Sequence, residues 1–129
     1  MSPDQWRGVQ FFKREEFLCP HCGIEDMRPA FMLALDNLRM RLNIPIVISS
    51  GYRCPQHNRV VSETGLTGPH TTGNAADIRC SGIQAYSILG VAMRMGFEGI
   101  GVKQKGDMGA RFLHLDNVIS ELRPRVWSY

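Results

Sequence analysis

The sequence predicts an α+β fold, one small domain with a short antiparallel sheet and helices packed on it. Two apolar stripes recur at helical spacing, and several short β-branched runs sit between turn residues. Two of those runs are joined through a glycine-bearing loop, as in a hairpin. The 129 residues, 43% hydrophobic and 21% charged, are enough for one core and argue against a disordered or membrane-spanning chain.

The first stripe starts at Pro29, which suits the first turn of a helix because its missing N–H has no partner there to lose. Phe31, Leu35, Leu38 and Leu42 follow at helical spacing and Asn43 closes the segment, predicting a helix over 29–42. Ile46-Val47-Ile48, after Pro45, reads as a buried strand running into Ser49-Ser50-Gly51-Tyr52-Arg53. A second short strand is expected at 76–79. Gly82 then precedes a helix whose stripe is Ile88, Val91, Ala92 and Met95, and Gly96 ends it. Gly99 to Val102 and Arg111 to Asp116 read as a strand pair around a loop containing Gly106 and Gly109. Strand alternation puts Phe112, His114 and Asp116 on one face of the last strand and Leu113 and Leu115 on the other.

No repeat, low-complexity tract or linker interrupts the chain. Residues 11–129 are expected to form the domain and residues 1–10 a loosely held arm. The net charge of +3 comes from scattered basic residues, not from the continuous stripe that nucleic-acid binding requires. No apolar stretch resembles a signal peptide or a membrane span. Synthesis in the cytoplasm without Sec export, no membrane contact and a monomeric state are the expectations.

Four cysteines occur. Cys19 and Cys22 enclose Cys19-Pro20-His21-Cys22, while Cys54 and Cys80 lie far along the chain. Together they would form a four-cysteine structural zinc site, with buried thiols or a disulfide as the alternatives. A zinc ribbon touching nucleic acid would need a second close cysteine pair, which is absent.

Two imidazoles and one carboxylate, from His70, Asp77 and His114, are the donor types of a catalytic zinc site, in which a fourth tetrahedral position stays open for water. Gly73 and Ala75-Ala76 allow the intervening chain to turn tightly. Taken singly, His70 reads equally as a loop-capping residue and Asp77 as a strand-edge acid.

The combination resembles a known family. Ser50-Gly51-Tyr52-Arg53-Cys54-Pro55-Gln56-His57-Asn58, His70-x-x-Gly73-x-Ala75-Ala76-Asp77-Ile78, His114-Leu115-Asp116 and the tail Arg125-Val126-Trp127-Ser128-Tyr129 are similar to the zinc peptidases of bacterial cell-wall peptides. These are the D-Ala-D-Ala carboxypeptidases, the phage L-alanyl-D-glutamate endopeptidases and the D,D-dipeptidases of vancomycin resistance; hedgehog signalling domains share their fold. The nearest part of the family is a phage and bacterial subgroup with His-x-Asp, and the resemblance spans about residues 11–129.

The resemblance implies that His70, Asp77 and His114 hold one catalytic Zn2+ and that Arg53 faces the substrate, a peptidoglycan peptide. A guanidinium there suits a substrate carboxylate or the oxyanion formed at an attacked amide, with a surface salt bridge as the alternative. Tyr52 is a further candidate substrate contact or a packing residue, and His57 a structural hydrogen-bonding one. Hydrolysis also needs a base. Several relatives carry an acid three residues before the last histidine, where this chain has Arg111. Asp116 is the first candidate, with support of a ligand imidazole as its alternative role, and Asp107 is the second. Action on the cell wall would follow lysis, pore passage or carriage on a virion. The other expectation is a zinc-containing binding module that has lost turnover.

Overall fold

The computed structural model describes residues 1–129. Helix α1 spans Pro3–Arg7, α2 Pro29–Leu42, α3 Pro55–Val61 and α4 Gly82–Met95. The strands are β1 (Val47–Ser50), β2 (Ala75–Arg79), β3 (Gly99–Lys103), β4 (Phe112–Asp116) and β5 (Arg125–Ser128), ordered β1-β2-β4-β3-β5 in one sheet.

The α+β expectation and both long helices hold. Asn43 closes α2 in the left-handed conformation (φ 54°), which an asparagine side chain tolerates better than most. The sheet is not wholly antiparallel as expected, because β5 runs parallel to β3. The register explains this. The chain leaves β4 at Asp116, opposite Gly99, and re-enters at Arg125, also opposite Gly99. It has crossed the end of β3, so its only course is back along the far side of that strand. Pro55–Val61, to which the sequence reading gave no element, is helix α3, started by Pro55 behind the N-cap Cys54.

One face of the sheet is apolar. Ile78, Ile100, Leu113 and Leu115 meet Phe31, Leu35 and Leu38 of α2 and Ile88 of α4 in a single buried cluster. The first ten residues are not a loose arm. Trp6 and Val9 pack against this cluster, the Trp6 indole donates to Glu25 Oε1 at 2.8 Å, and the amides of Gln10 and Phe11 donate to Asp36 at 2.6 and 3.1 Å. Those buried acids are the partners that composition alone did not assign to the N-terminal segment.

The opposite face carries the polar row. Across the sheet, Asp77 of β2 pairs with His114 of β4, His114 with Gly101 of β3, and Gly101 with Trp127 of β5. In the next row Ala75, Asp116, Gly99 and Arg125 align in the same way. Both glycines are required by close approach. A Cβ on Gly101 would lie 2.6 Å from Trp127 Nε1, and one on Gly99 would collide with the Asp116 carboxylate. The bare backbone there lets the Trp127 ring lean on His114, with ring centroids 5.1 Å apart.

Candidate metal centre

Strand pairing alone brings Asp77 and His114 together, since residues directly opposite in a ladder project to the same face. His70 arrives from the single 3-10 turn Pro69–Thr72 just ahead of β2. All three side chains are buried. His70 Nε2 lies 3.1 Å from Asp77 Oδ1, His114 Nδ1 lies 3.0 Å from the same oxygen, and the two nitrogens are 3.2 Å apart.

The outer nitrogens fix what these inner atoms are. His70 Nδ1 faces the Gly51 carbonyl at 2.7 Å, and a carbonyl only accepts, so that nitrogen carries the proton. His114 Nε2 faces Asp116 Oδ2 at 2.8 Å and donates in the same way. With both imidazoles neutral, the two inner nitrogens and the Asp77 oxygen present three lone pairs to one point. Nothing in the chain separates them, and such an arrangement is repulsive unless a cation sits among them. A tetrahedral ion with bonds of about 2.0–2.2 Å needs donors about 3.3–3.6 Å apart, a few tenths of an ångström beyond the observed triangle. The residues therefore fit Zn2+, with His70 Nε2, His114 Nδ1 and Asp77 Oδ1 as its donors.

Around this triangle the protein supplies orienting groups. Asp116 is fully buried. Its Oδ1 accepts from the Val118 amide at 3.1 Å and Arg123 Nε at 3.3 Å, and its Oδ2 from Arg123 Nη2 at 2.9 Å and from His114. Arg53 donates through Nη2 to Asp77 Oδ2 (3.1 Å), through Nε to Ser50 Oγ (3.0 Å) and through Nη1 to Asn58 Oδ1 (3.2 Å). Without a metal, burial pushes the Asp77 carboxyl upward, but His70 and His114, then protonated and donating to it, outweigh burial and hold it well below the usual carboxylate range; the cation the triangle calls for is a proton or a metal ion. Asp116 is lowered likewise: burial opposes, and its bonds from His114 and Arg123 prevail.

The chain from residue 10 to residue 116 matches the family model described as Peptidase M15. The chain belongs to the peptidase M15 family. It is a metallopeptidase of a zinc-dependent family, and the matched span contains all three donors of the triangle. A comparison with curated proteins gave no match.

In this M15 peptidase the triangle opens into a cleft of about 960 Å³ whose wall includes Arg53, Lys103, Arg123, Arg125, Trp127 and Tyr129. Arg53, expected to face the substrate, lines the cleft and reaches the triangle through Asp77. Tyr52 instead packs against the core cluster and does not line the cleft. Asp107, in the exposed loop between β3 and β4, does not line the cleft either. Arg111 turns away and donates to the Gly106 carbonyl.

Four contributors were not assigned from sequence. Arg123 secures Asp116, Asn58 braces Arg53, Trp127 covers His114, and Glu63 lines the cleft. The alternation of Arg125, Val126 and Trp127 after Pro124 was the available signal for β5, and Pro55 behind a capping side chain was the signal for α3.

The four-cysteine site does not form. The Cys80 thiol is buried at the end of β2 and donates to the Ile78 carbonyl at 3.4 Å, and burial pushes its pKa up to about 11. The other three thiols lie within 4.8 Å of one another in a group that does not include Cys80, and all four cysteines are free.

Proposed function

We propose that this protein hydrolyses an amide bond in the stem peptides of bacterial peptidoglycan, as a D-Ala-D-Ala carboxypeptidase or an endopeptidase, and that it is phage or prophage encoded. The observation that carries the reading is the three-donor triangle at the floor of a cleft walled by Arg53, Lys103, Arg123 and Arg125. Stem peptides carry free carboxylates, which such a wall attracts and orients.

Zinc held by His70 Nε2, Asp77 Oδ1 and His114 Nδ1 supplies Lewis acidity for the scissile carbonyl and lowers the pKa of the attacking water. The chain's own groups do the rest. A guanidinium has five N–H donors, of which Arg53 uses three on Asp77, Ser50 and Asn58. The two that remain suit the carbonyl oxygen as negative charge develops on it. One proton must pass from water to the leaving amine as the C–N bond breaks. Asp116 has both oxygens occupied, so its role is to hold the His114 tautomer. Asp77 is engaged, and Glu63 is the other side-chain carboxylate in the cleft wall; we take it as the group to test as proton carrier, by the turnover of Glu63→Gln with zinc content unchanged.

We place its action at the cell wall, reached after lysis, through a pore or on a virion, and a monomer suffices for the site as drawn. No helix is long and apolar enough to cross a membrane. A second reading, a zinc-containing binding module without turnover, draws on Arg111 standing where several relatives carry an acid. Mass spectrometry of purified muropeptides after incubation, with a chelator and with zinc restored, separates the two. Chelator-sensitive fragments establish the peptidase and name the bond; intact peptides with folded, zinc-loaded protein establish the binding module.

A further inference from the structure

Away from the cleft, Cys19, Cys22 and Cys54 place their sulfurs within 4.8 Å of one another. Cys19 and Cys54 are buried and Cys22 is exposed. The turn that gathers the first two is tight. Gly23 donates its amide to the Cys19 carbonyl at 2.8 Å, the Cys19 amide donates to Ile24 at 2.8 Å, and Gly23 takes a left-handed φ of 72°. The loop thus folds Cys22 back over Cys19.

Backbone donors point at the sulfurs. The Cys54 amide reaches Cys19 Sγ at 3.3 Å and the His57 amide reaches Cys54 Sγ at 3.4 Å. His21, inside the same turn, brings Nδ1 to 3.3 Å from Cys54 Sγ; it stands outside the group of donors that all lie within 4.8 Å of one another, so its ring must swing inward to complete a tetrahedron. The His57 ring only stacks on His21, with centroids 6.0 Å apart and planes 3° from parallel. No disulfide joins any pair.

We propose that Cys19, Cys22, Cys54 and His21 form a second metal site, a closed structural Zn2+ site of three thiolates and one imidazole. A tetrahedral zinc thiolate site has sulfurs about 3.8 Å apart, within the 4.8 Å inside which these three lie. Soft sulfur donors select zinc over the hard cations. Four protein donors leave no position for water, so the site is structural where the His-Asp-His site is catalytic. Binding releases the thiol protons to solvent. The result ties the 19–22 turn to the residue after Arg53, so the metal clamps the strap that carries that side chain.

The test uses the full chain and reads metal content by plasma mass spectrometry, together with the spectrum of the cobalt-substituted protein. Wild type is expected to hold two zinc ions, Cys22→Ser one, His70→Ala one, and the double variant none. Thiolate-to-cobalt charge-transfer bands are expected in wild type and in His70→Ala, and are lost in Cys22→Ser. His21→Ala should shift those bands and hasten release to a chelator, with His57→Ala unchanged; the reverse pattern overturns the assignment of the imidazole. Should Cys22→Ser not fold, X-ray absorption on the wild type decides, since zinc with sulfur neighbours supports the site and only nitrogen and oxygen neighbours overturn it. A single zinc in wild type with three thiols open to a thiol reagent, or a disulfide within the cluster, also overturns it. These outcomes are independent of whether peptide cleavage is found.

Discussion

Asp116→Asn tests the claim that the triangle depends on a proton held outside it. Four donors converge on Asp116: His114 Nε2, Arg123 Nε and Nη2, and the Val118 amide. Asparagine keeps the shape but offers one accepting oxygen and a donating amide. Whichever way the amide turns, N–H faces N–H on one side. If the oxygen stays toward Val118 and Arg123 Nε, the amide points at His114 and Arg123 Nη2. His114 can then relieve the clash only by moving its proton to Nδ1, the nitrogen the metal needs.

Loss of one partner from a buried charged pair costs about 3–5 kcal/mol. Loss of the group that orients a ligand imidazole typically weakens metal binding about 10–100-fold. The expected result is a lower midpoint in chemical denaturation and weaker zinc binding in competition with a chromophoric chelator, with turnover recovering as zinc is raised. A variant that binds zinc as tightly as wild type yet has no turnover would refute the orienting role and make Asp116 the base.

Gly101→Ala should displace Trp127 from His114 and cost about 1–3 kcal/mol, as overpacking does; a changed Trp127 emission with β4 intact by amide exchange checks it. Arg53→Lys loses the planar fork, so turnover should fall about 10²–10³-fold while the unfolding midpoint moves little; equal losses in both would make Arg53 a structural residue alone. Burial opposes ionisation of Glu25, but the Met1 amino group, the Trp6 indole and the Met27 amide outweigh it and hold its carboxyl below the ordinary 4.5. Its contribution is therefore present above pH 4.5 and lost as pH falls through the lowered value, so Glu25→Gln should flatten the acid limb of stability against pH.

The parts of the fold legible in sequence were those with their own periodicity. The stripe through Phe31, Leu35 and Leu38 and the alternation in Phe112 to Asp116 each report a local conformation, and both match the structure. The alternation went further: it placed His114 and Asp116 on one face, where they do hydrogen-bond. Pairing partners were not legible, because register is a property of two segments. Nothing local to Arg125–Ser128 says that it lies beside β3, and nothing local to Trp6 says that Glu25 awaits it. The surroundings of Asp116 were illegible for the same reason, since nothing local to it says that Arg123 and the Val118 amide occupy its oxygens.

The strap from Gly51 to Cys54 shows how much of the site one short segment controls. Its Gly51 carbonyl fixes the His70 proton, and the Arg53 amide donates to the His70 carbonyl at 3.2 Å. The Arg53 side chain holds the second oxygen of Asp77, so two of the three metal donors take their orientation from it. The strap is itself held from below, since the Tyr52 amide donates to the Phe17 carbonyl at 3.1 Å and a Cβ on Gly51 would lie 2.6 Å from Phe17 Cα. Tyr52 and Arg53 project to opposite sides, one into the core and one into the cleft. That division explains why Ser50-Gly51-Tyr52-Arg53-Cys54 is informative as a unit: each side chain or backbone group in it answers to a different part of the molecule.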